Sequence, residues 1–176
     1  MRNKILIILI LPVFGIYPIQ ATAAIWWVNG HLEINDGDVY DGELFMTDYG
    51  SVDMFGGAVG KLETWDYSTG NIYGGEIDIL WTDDNTVINI YGGSLTTLAS
   101  RPESTVYLYA YDTTYHLDGG LYNQPWLEGK YINTDIPFSF SFYGDDDYPQ
   151  VNIVPEPAMF TLFALGALFL CRRKHR

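Results

Sequence analysis

Cysteine is almost missing from this sequence: Cys171 is the single one in 176 residues. No intramolecular disulfide can therefore form, although many small exported domains depend on them. Basic residues are scarce in the middle of the chain. Between Lys4 and Arg172 there are three, Lys61, Arg101 and Lys130, while all 22 acidic residues fall from Glu33 to Glu156. That span carries a net charge of −19, which repels phosphate backbones and anionic headgroups, so no nucleic acid partner is expected. Cations, basic proteins and neutral glycans remain compatible with it. Signatures of catalysis are absent too. There is no Gly-x-Ser-x-Gly elbow, no phosphate-binding loop and no dinucleotide fingerprint. His31 and His116 each lack a second imidazole or thiol at metal-ligand spacing. The expectation is a protein that is not an enzyme, with no catalytic residue, no assigned metal site and no cofactor.

Long apolar runs are confined to the two ends. At the N-terminus, Arg2 and Lys4 precede an apolar stretch from Ile5 to Ile19, broken by Pro12, Gly15 and Pro18. Ala21-Thr22-Ala23-Ala24 follows with the small residues a signal peptidase needs, so residues 1–24 read as a secretory signal peptide. At the C-terminus, Val154-Pro155-Glu156-Pro157 precedes an uncharged apolar run, 158–171, and then Arg172-Arg173-Lys174-His175-Arg176. The prolines keep the junction extended. The run has helical composition, with a basic tip that stays on the cytoplasmic side. As a transmembrane helix it is short: about 21 Å at 1.5 Å per residue, against a bilayer core near 30 Å. A transient, processed membrane segment fits that length better than a permanent anchor.

This order of Pro-Glu-Pro, short apolar helix and basic cluster resembles the PEP-CTERM sorting domain of exported proteins. The resemblance covers 154–176 and rests on Pro155, Glu156 and Pro157 as the sorting motif, with Arg172, Arg173, Lys174 and Arg176 as the basic anchor. It implies an exosortase and the export machinery as partners. It also implies membrane contact through the C-terminal helix before processing, and a destination at the cell surface or beyond. Exopolysaccharide is a further candidate partner.

Between the two signals lies an acidic body, 25–153, long enough for one domain. Val39-Tyr40-Asp41-Gly42-Glu43-Leu44 recurs as Met54-Phe55-Gly56-Gly57-Ala58-Val59, Ile72-Tyr73-Gly74-Gly75-Glu76-Ile77 and Ile90-Tyr91-Gly92-Gly93-Ser94-Leu95, at offsets of 15, 18 and 18. A degenerate copy follows at Leu108-Tyr109. Phe55, Tyr73, Tyr91 and Tyr109 form an aromatic series at a step of 18, and Met54, Ile72, Ile90 and Leu108 an aliphatic one. Leu62, Leu80 and Leu98 repeat likewise, as do Asp53, Asn71 and Asn89, with Asn35 at the same step. Val, Ile, Tyr and Thr interrupted by Gly point to short strands with glycine corners.

Such a period predicts an all-β fold, a short β-solenoid of coils of about 18 residues whose equivalent side chains stack one strand spacing apart. Handedness is left open. The repeats would span about 33–110 and a cap about 111–153, with a C-terminal hairpin over 137–154 covering the exposed edge. The alternative is an antiparallel β-sandwich whose Gly-Gly hairpins merely look periodic. Trp26-Trp27-Val28 would begin the other end.

Three kinds of residue are candidates for chemistry. Glu76 and Asp78 share a strand face, but solvated carboxylates also keep an edge-rich protein soluble. Asp36-Gly37-Asp38, Asp83-Asp84-Asn85 and Asp145-Asp146-Asp147 offer hard oxygen ligands, so Ca2+ is the candidate cation, without a full EF-hand or nonapeptide pattern. Phe55, Tyr73, Tyr91 and Tyr109, if exposed, would make a flat stacking platform for sugar rings. The functional expectation is a structural or adhesive surface protein. A carbohydrate-binding module is the alternative, and a polysaccharide-degrading enzyme a distant third.

Overall fold

The computed structural model describes residues 25–118, 124–143 and 151–155. The expected signal peptide, 1–24, and the expected helix, 158–171, lie outside the described residues. So do the candidate oxygen ligands Asp145, Asp146 and Asp147. Among the described residues no helix is long and apolar enough to cross a membrane.

Among the described residues thirteen strands make the fold: β1 (Ile25–Val28), β2 (His31–Ile34), β3 (Val39–Met46), β4 (Ser51–Met54), β5 (Ala58–Thr64), β6 (Thr69–Ile72), β7 (Glu76–Thr82), β8 (Val87–Ile90), β9 (Ser94–Ser100), β10 (Thr105–His116), β11 (Trp126–Tyr131), β12 (Pro137–Phe142) and β13 (Val151–Val154). Short and long strands alternate along the chain, and each pairs in parallel with its counterpart one coil later. The short strands β2, β4, β6, β8 and the start of β10 form one wall. The four-residue β1 and the long strands β3, β5, β7 and β9 form the other. This is a parallel-stacked β-solenoid of about five turns, not a sandwich.

The short strands alternate inward and outward, as a half-buried strand must. Val52 and Met54, Ile88 and Ile90, and Val106 and Leu108 all point into the core. The long strands break that rhythm. Val59, Leu62 and Thr64 are buried, as are Ile77, Leu80 and Thr82, at a spacing of three and then two. Gly60, Asp78 and Thr96 drop out of the pairing register, so β5, β7 and β9 bend there, and in β5 and β7 two successive residues turn away from the core. This bend is why no strict aliphatic period of six runs through the sequence. Leu44, Leu62, Leu80 and Leu98 stack in register at complete burial. Each such leucine contributes roughly 1.5–3 kcal/mol of burial.

The first coil corrects two expected equivalences. Leu32 pairs with Val52, Tyr40 with Val59 and Glu43 with Lys61, so the step falls from 20 to 19 to 18 along one turn. One extra residue sits in the corner Asn35–Asp38 and another in the register shift of β3 between Tyr40 and Glu43. Val39-Tyr40-Asp41-Gly42 is therefore a bulged strand, not a corner, and its offset of 15 has no structural counterpart. Asn35 leaves the polar column for the same reason, and Glu33 stands opposite Asp53 in its place.

The C-terminal end is closed differently from the expected 137–154 hairpin. β12 pairs in parallel with β9 and antiparallel with β11, and β11 pairs antiparallel with the second half of β10. The capping hairpin is thus β11–β12. β13 leaves it and lies parallel on β10 in the opposite wall. The long-strand wall folds over into the short-strand wall through these strands, burying Leu127, Tyr131, Phe138, Phe140 and Phe142 beneath it.

Candidate functional site

Residue types that usually build binding sites are arranged here in columns along the coil axis. At the first corner, Phe55, Tyr73, Tyr91 and Tyr109 stack ring on ring. Their centroids lie 5.1, 4.9 and 4.2 Å apart, with interplanar angles of 5°, 7° and 19°. Phe55, Tyr73 and Tyr91 each follow the short strand of their coil and Tyr109 continues the line within β10, so the strand spacing of about 4.8 Å sets the ring spacing. Phe55 and Tyr73 stand 53% and 44% exposed; Tyr73 carries a neighbouring ring on both faces, and Phe55, at the head of the column, is stacked by Tyr73 on one. The inner faces are covered by the neighbouring rings. Burial and a hydrogen bond between the hydroxyls of Tyr91 and Tyr109 act together here, the hydrogen bond more strongly, and the Tyr91 hydroxyl is pushed up to about 12.

The polar column runs beside it on the outer face of the short-strand wall. Asn71 Nδ2 donates to Asp53 Oδ1 at 2.8 Å, and Asn89 Nδ2 donates to Asn71 Oδ1 at 3.0 Å. In register the column reads Glu33, Asp53, Asn71, Asn89, Tyr107 and Asn152.

A third column escaped the sequence reading. Asp48, Asp66 and Asp84 recur at a step of 18 in the second corner, each with positive φ of 58°, 61° and 51°. Aspartate tolerates this left-handed conformation better than most residues. The Asp48 N–H donates to Asp66 Oδ2 at 3.0 Å, and the Asp66 N–H to Asp84 Oδ2 at 3.3 Å. Each carboxylate thus caps the turn of the preceding coil. Asn29 Nδ2 tops the column by donating to Asp48 Oδ2 at 2.5 Å. The visible signal was Thr47-Asp48-Tyr49-Gly50 against Trp65-Asp66-Tyr67-Ser68. Tyr49 and Tyr67 also stack, at 5.5 Å. Asp66→Ala is expected to lower stability by about 1–2 kcal/mol, through a lost acceptor and a strained backbone, read as a shift of the chemical-denaturation midpoint.

Two of the three cations of the body, Lys61 and Arg101, serve the same purpose. Lys61 reaches Glu43 one coil earlier at 3.6 Å, contacts Glu63, and lies 5.5 Å from the centroid of the Trp81 ring. Burial alone would push its ammonium down, but Glu63 and Glu43 together hold it above the ordinary lysine value. Arg101 Nε lies 3.3 Å from Asp83, again one coil earlier. Lys130 sits over Tyr111 at 5.9 Å.

The acidic candidates do not converge. Glu76 and Asp78 are both exposed, with Ile77 turned inward between them. Asp38 Oδ2 accepts the Asn35 N–H at 2.8 Å, and Asp83 Oδ1 accepts the Asp84 N–H at 2.8 Å. Among the described residues no group of three or more His, Cys, Asp or Glu is placed to hold a metal ion. His31 bonds Ser51 at 2.9 Å, and His116 stacks on Trp126 at 3.9 Å.

At the C-terminal end, β13 runs parallel to β10 with Val154 opposite Tyr109, and the exposed Pro155 follows directly. Proline has no N–H to offer, so strand pairing stops there. Residues 154–176 match the PEP-CTERM protein-sorting motif. The chain carries that sorting motif. It marks an exported protein, processed by an exosortase and directed to the cell envelope or surface. The motif begins on the last strand of the solenoid, with no linker between them. Glu156, Pro157, Arg172, Arg173, Lys174 and Arg176 lie outside the described residues. No curated protein and no solved structure matches the chain.

Proposed function

We propose that the exported body is a structural, adhesive element of the extracellular matrix and has no catalytic activity. The observation that carries this reading is the aromatic column. A sugar ring stacks on a free aromatic face, and the faces of Phe55, Tyr73, Tyr91 and Tyr109 are turned toward one another. The Asn and Asp columns and Lys61 are likewise spent on coil-to-coil bonds. Side chains of the kinds that recognise ligands therefore hold a short acidic rod together without disulfides.

A carbohydrate-binding module is the second reading, favoured by the exposure of Phe55 and Tyr73 at the start of the column. Tyr73→Ala/Tyr91→Ala separates the two. It removes three stacking contacts, at about 0.5–1.5 kcal/mol each. On the structural reading, stability falls by about 2–4 kcal/mol and migration in gels containing neutral or acidic polysaccharides stays unchanged. Loss of polysaccharide retention in a variant that is still folded would establish the binding module instead.

A further inference from the structure

The two ends of the solenoid are finished in opposite ways. The path of paired strands begins at β1 and finishes at β2, and both belong to the first coil. At the far end the sheet is folded over through β12 and β11 into β10, which leaves β13 as the last strand of the short-strand wall. At the near end, among the described residues, β1 pairs only with β3 and β2 only with β4. Each outer edge therefore presents unpaired N–H and C=O groups, the usual template for strand addition. Neither strand carries the Lys or Pro that commonly blunts such an edge. Ile25 and Trp27 are instead 55% and 68% exposed there.

We propose that the exported protein pairs head to head with a second copy of itself through the outer edges of β1 and β2. A two-fold axis across this end sets each strand antiparallel to its own copy. For β2, an antiparallel register centred on Leu32 places His31 opposite Glu33 of the other copy, twice over. Both side chains are solvent-facing, 49% and 60% exposed, so opposite partial or full charges meet at the rim. For β1, a register centred on Trp26 sets Ile25 against Trp27 of the other copy and covers both exposed residues. The same pairing closes off Trp26, Val28 and Leu32, which are only partly buried against the core.

A second copy fits better than a head-to-tail stack. Among the described residues the far end offers one edge, β13, in the short-strand wall, so stacking on it would match β2 and leave β1 bare. Head-to-head pairing satisfies both edges and closes at two chains. Removal of the signal peptide expected at 1–24 would leave Ile25 at the start of the mature chain and free this end for pairing. Pairing of this kind needs only the two free edges, whatever the protein does in the matrix.

The test uses the protein purified from the secreted fraction, studied by sedimentation velocity and by amide hydrogen exchange. The expected result is a species of twice the chain mass, with protection over residues 25–34 that rises with protein concentration. Glu33→Lys, a change at an exposed site, is expected to weaken association roughly tenfold or more, and Trp27→Lys to do the same, each with an unchanged circular dichroism spectrum. A single-chain mass up to roughly 100 µM, a concentration that would populate even a weak dimer, with concentration-independent exchange, overturns the proposal. So does growth beyond two chains, which would signal head-to-tail stacking. Undiminished dimerisation of Glu33→Lys overturns the β2 pairing.

Discussion

Pro155→Ala/Glu156→Ala is expected to leave the exported protein with its C-terminal segment intact, while the wild type is found shortened. Intact-mass measurement of the secreted fraction reads the difference directly. The effect should be large, because the motif concentrates several recognition features in three residues. Glu156 is the single charged residue between Asp147 and Arg172, so no neighbouring carboxylate substitutes for it. Pro155 and Pro157 disfavour helix on either side of it, and Pro155 ends the ladder begun by Val154. Removing a recognised charged group of this kind costs roughly tenfold or more in processing. Asn152→Ala, in the strand just before the motif, should be processed like the wild type. Equal masses for the wild type and the double variant, both carrying the C-terminal segment, would refute the sorting role assigned to these residues.

Gly75→Val is expected to prevent the solenoid from stacking at that corner, at a cost of about 4 kcal/mol or more. Two penalties coincide there. Gly75 has φ of +88°, which a β-branched residue hardly adopts. A Cβ would also meet the Gly56 carbonyl oxygen of the preceding coil at 2.6 Å, and backbone cannot step aside as a side-chain tip can. Gly37 separates the two contributions. Its φ is +91°, but nothing lies within 4 Å of an added Cβ. Gly37→Ala should therefore cost only about 1–2 kcal/mol. Urea titration of both variants checks the ratio. Similar losses for the two would mean that the coil-to-coil approach at Gly75 contributes nothing.

The repeat was legible because a solenoid writes its register into its period. Residues 18 apart must land in the same column when every coil has the same length, so Met54, Ile72, Ile90 and Leu108 fall into register as the sequence suggests. The same logic misled at the first coil. Val39-Tyr40-Asp41-Gly42 imitates the corner motif, while two extra residues, one in the corner and one in the β3 bulge, shift its true alignment. A turn and a bulge can each absorb a residue without disturbing the core, so such insertions leave no mark in composition. The Asp48, Asp66 and Asp84 column was missed because aspartates in turns are ordinary. Their positive φ and their bonds to the preceding coil exist only once the coils stack.

The destination of this protein and the fold of its body were both present in the amino-acid order. Pro155-Glu156-Pro157 with its apolar and basic sequel is a linear signal, read by another protein along the chain. The 18-residue period implies stacked coils through local geometry repeated. The finish of the two ends and the use of the aromatic rings belong to the tertiary structure. The cap joins β9 to β12 and β10 to both β11 and β13, pairings between segments without a shared period. The tyrosine faces are closed because parallel strands bring them within stacking distance. Which face a side chain presents follows from what lies above and below it, and that is settled only when the coils meet.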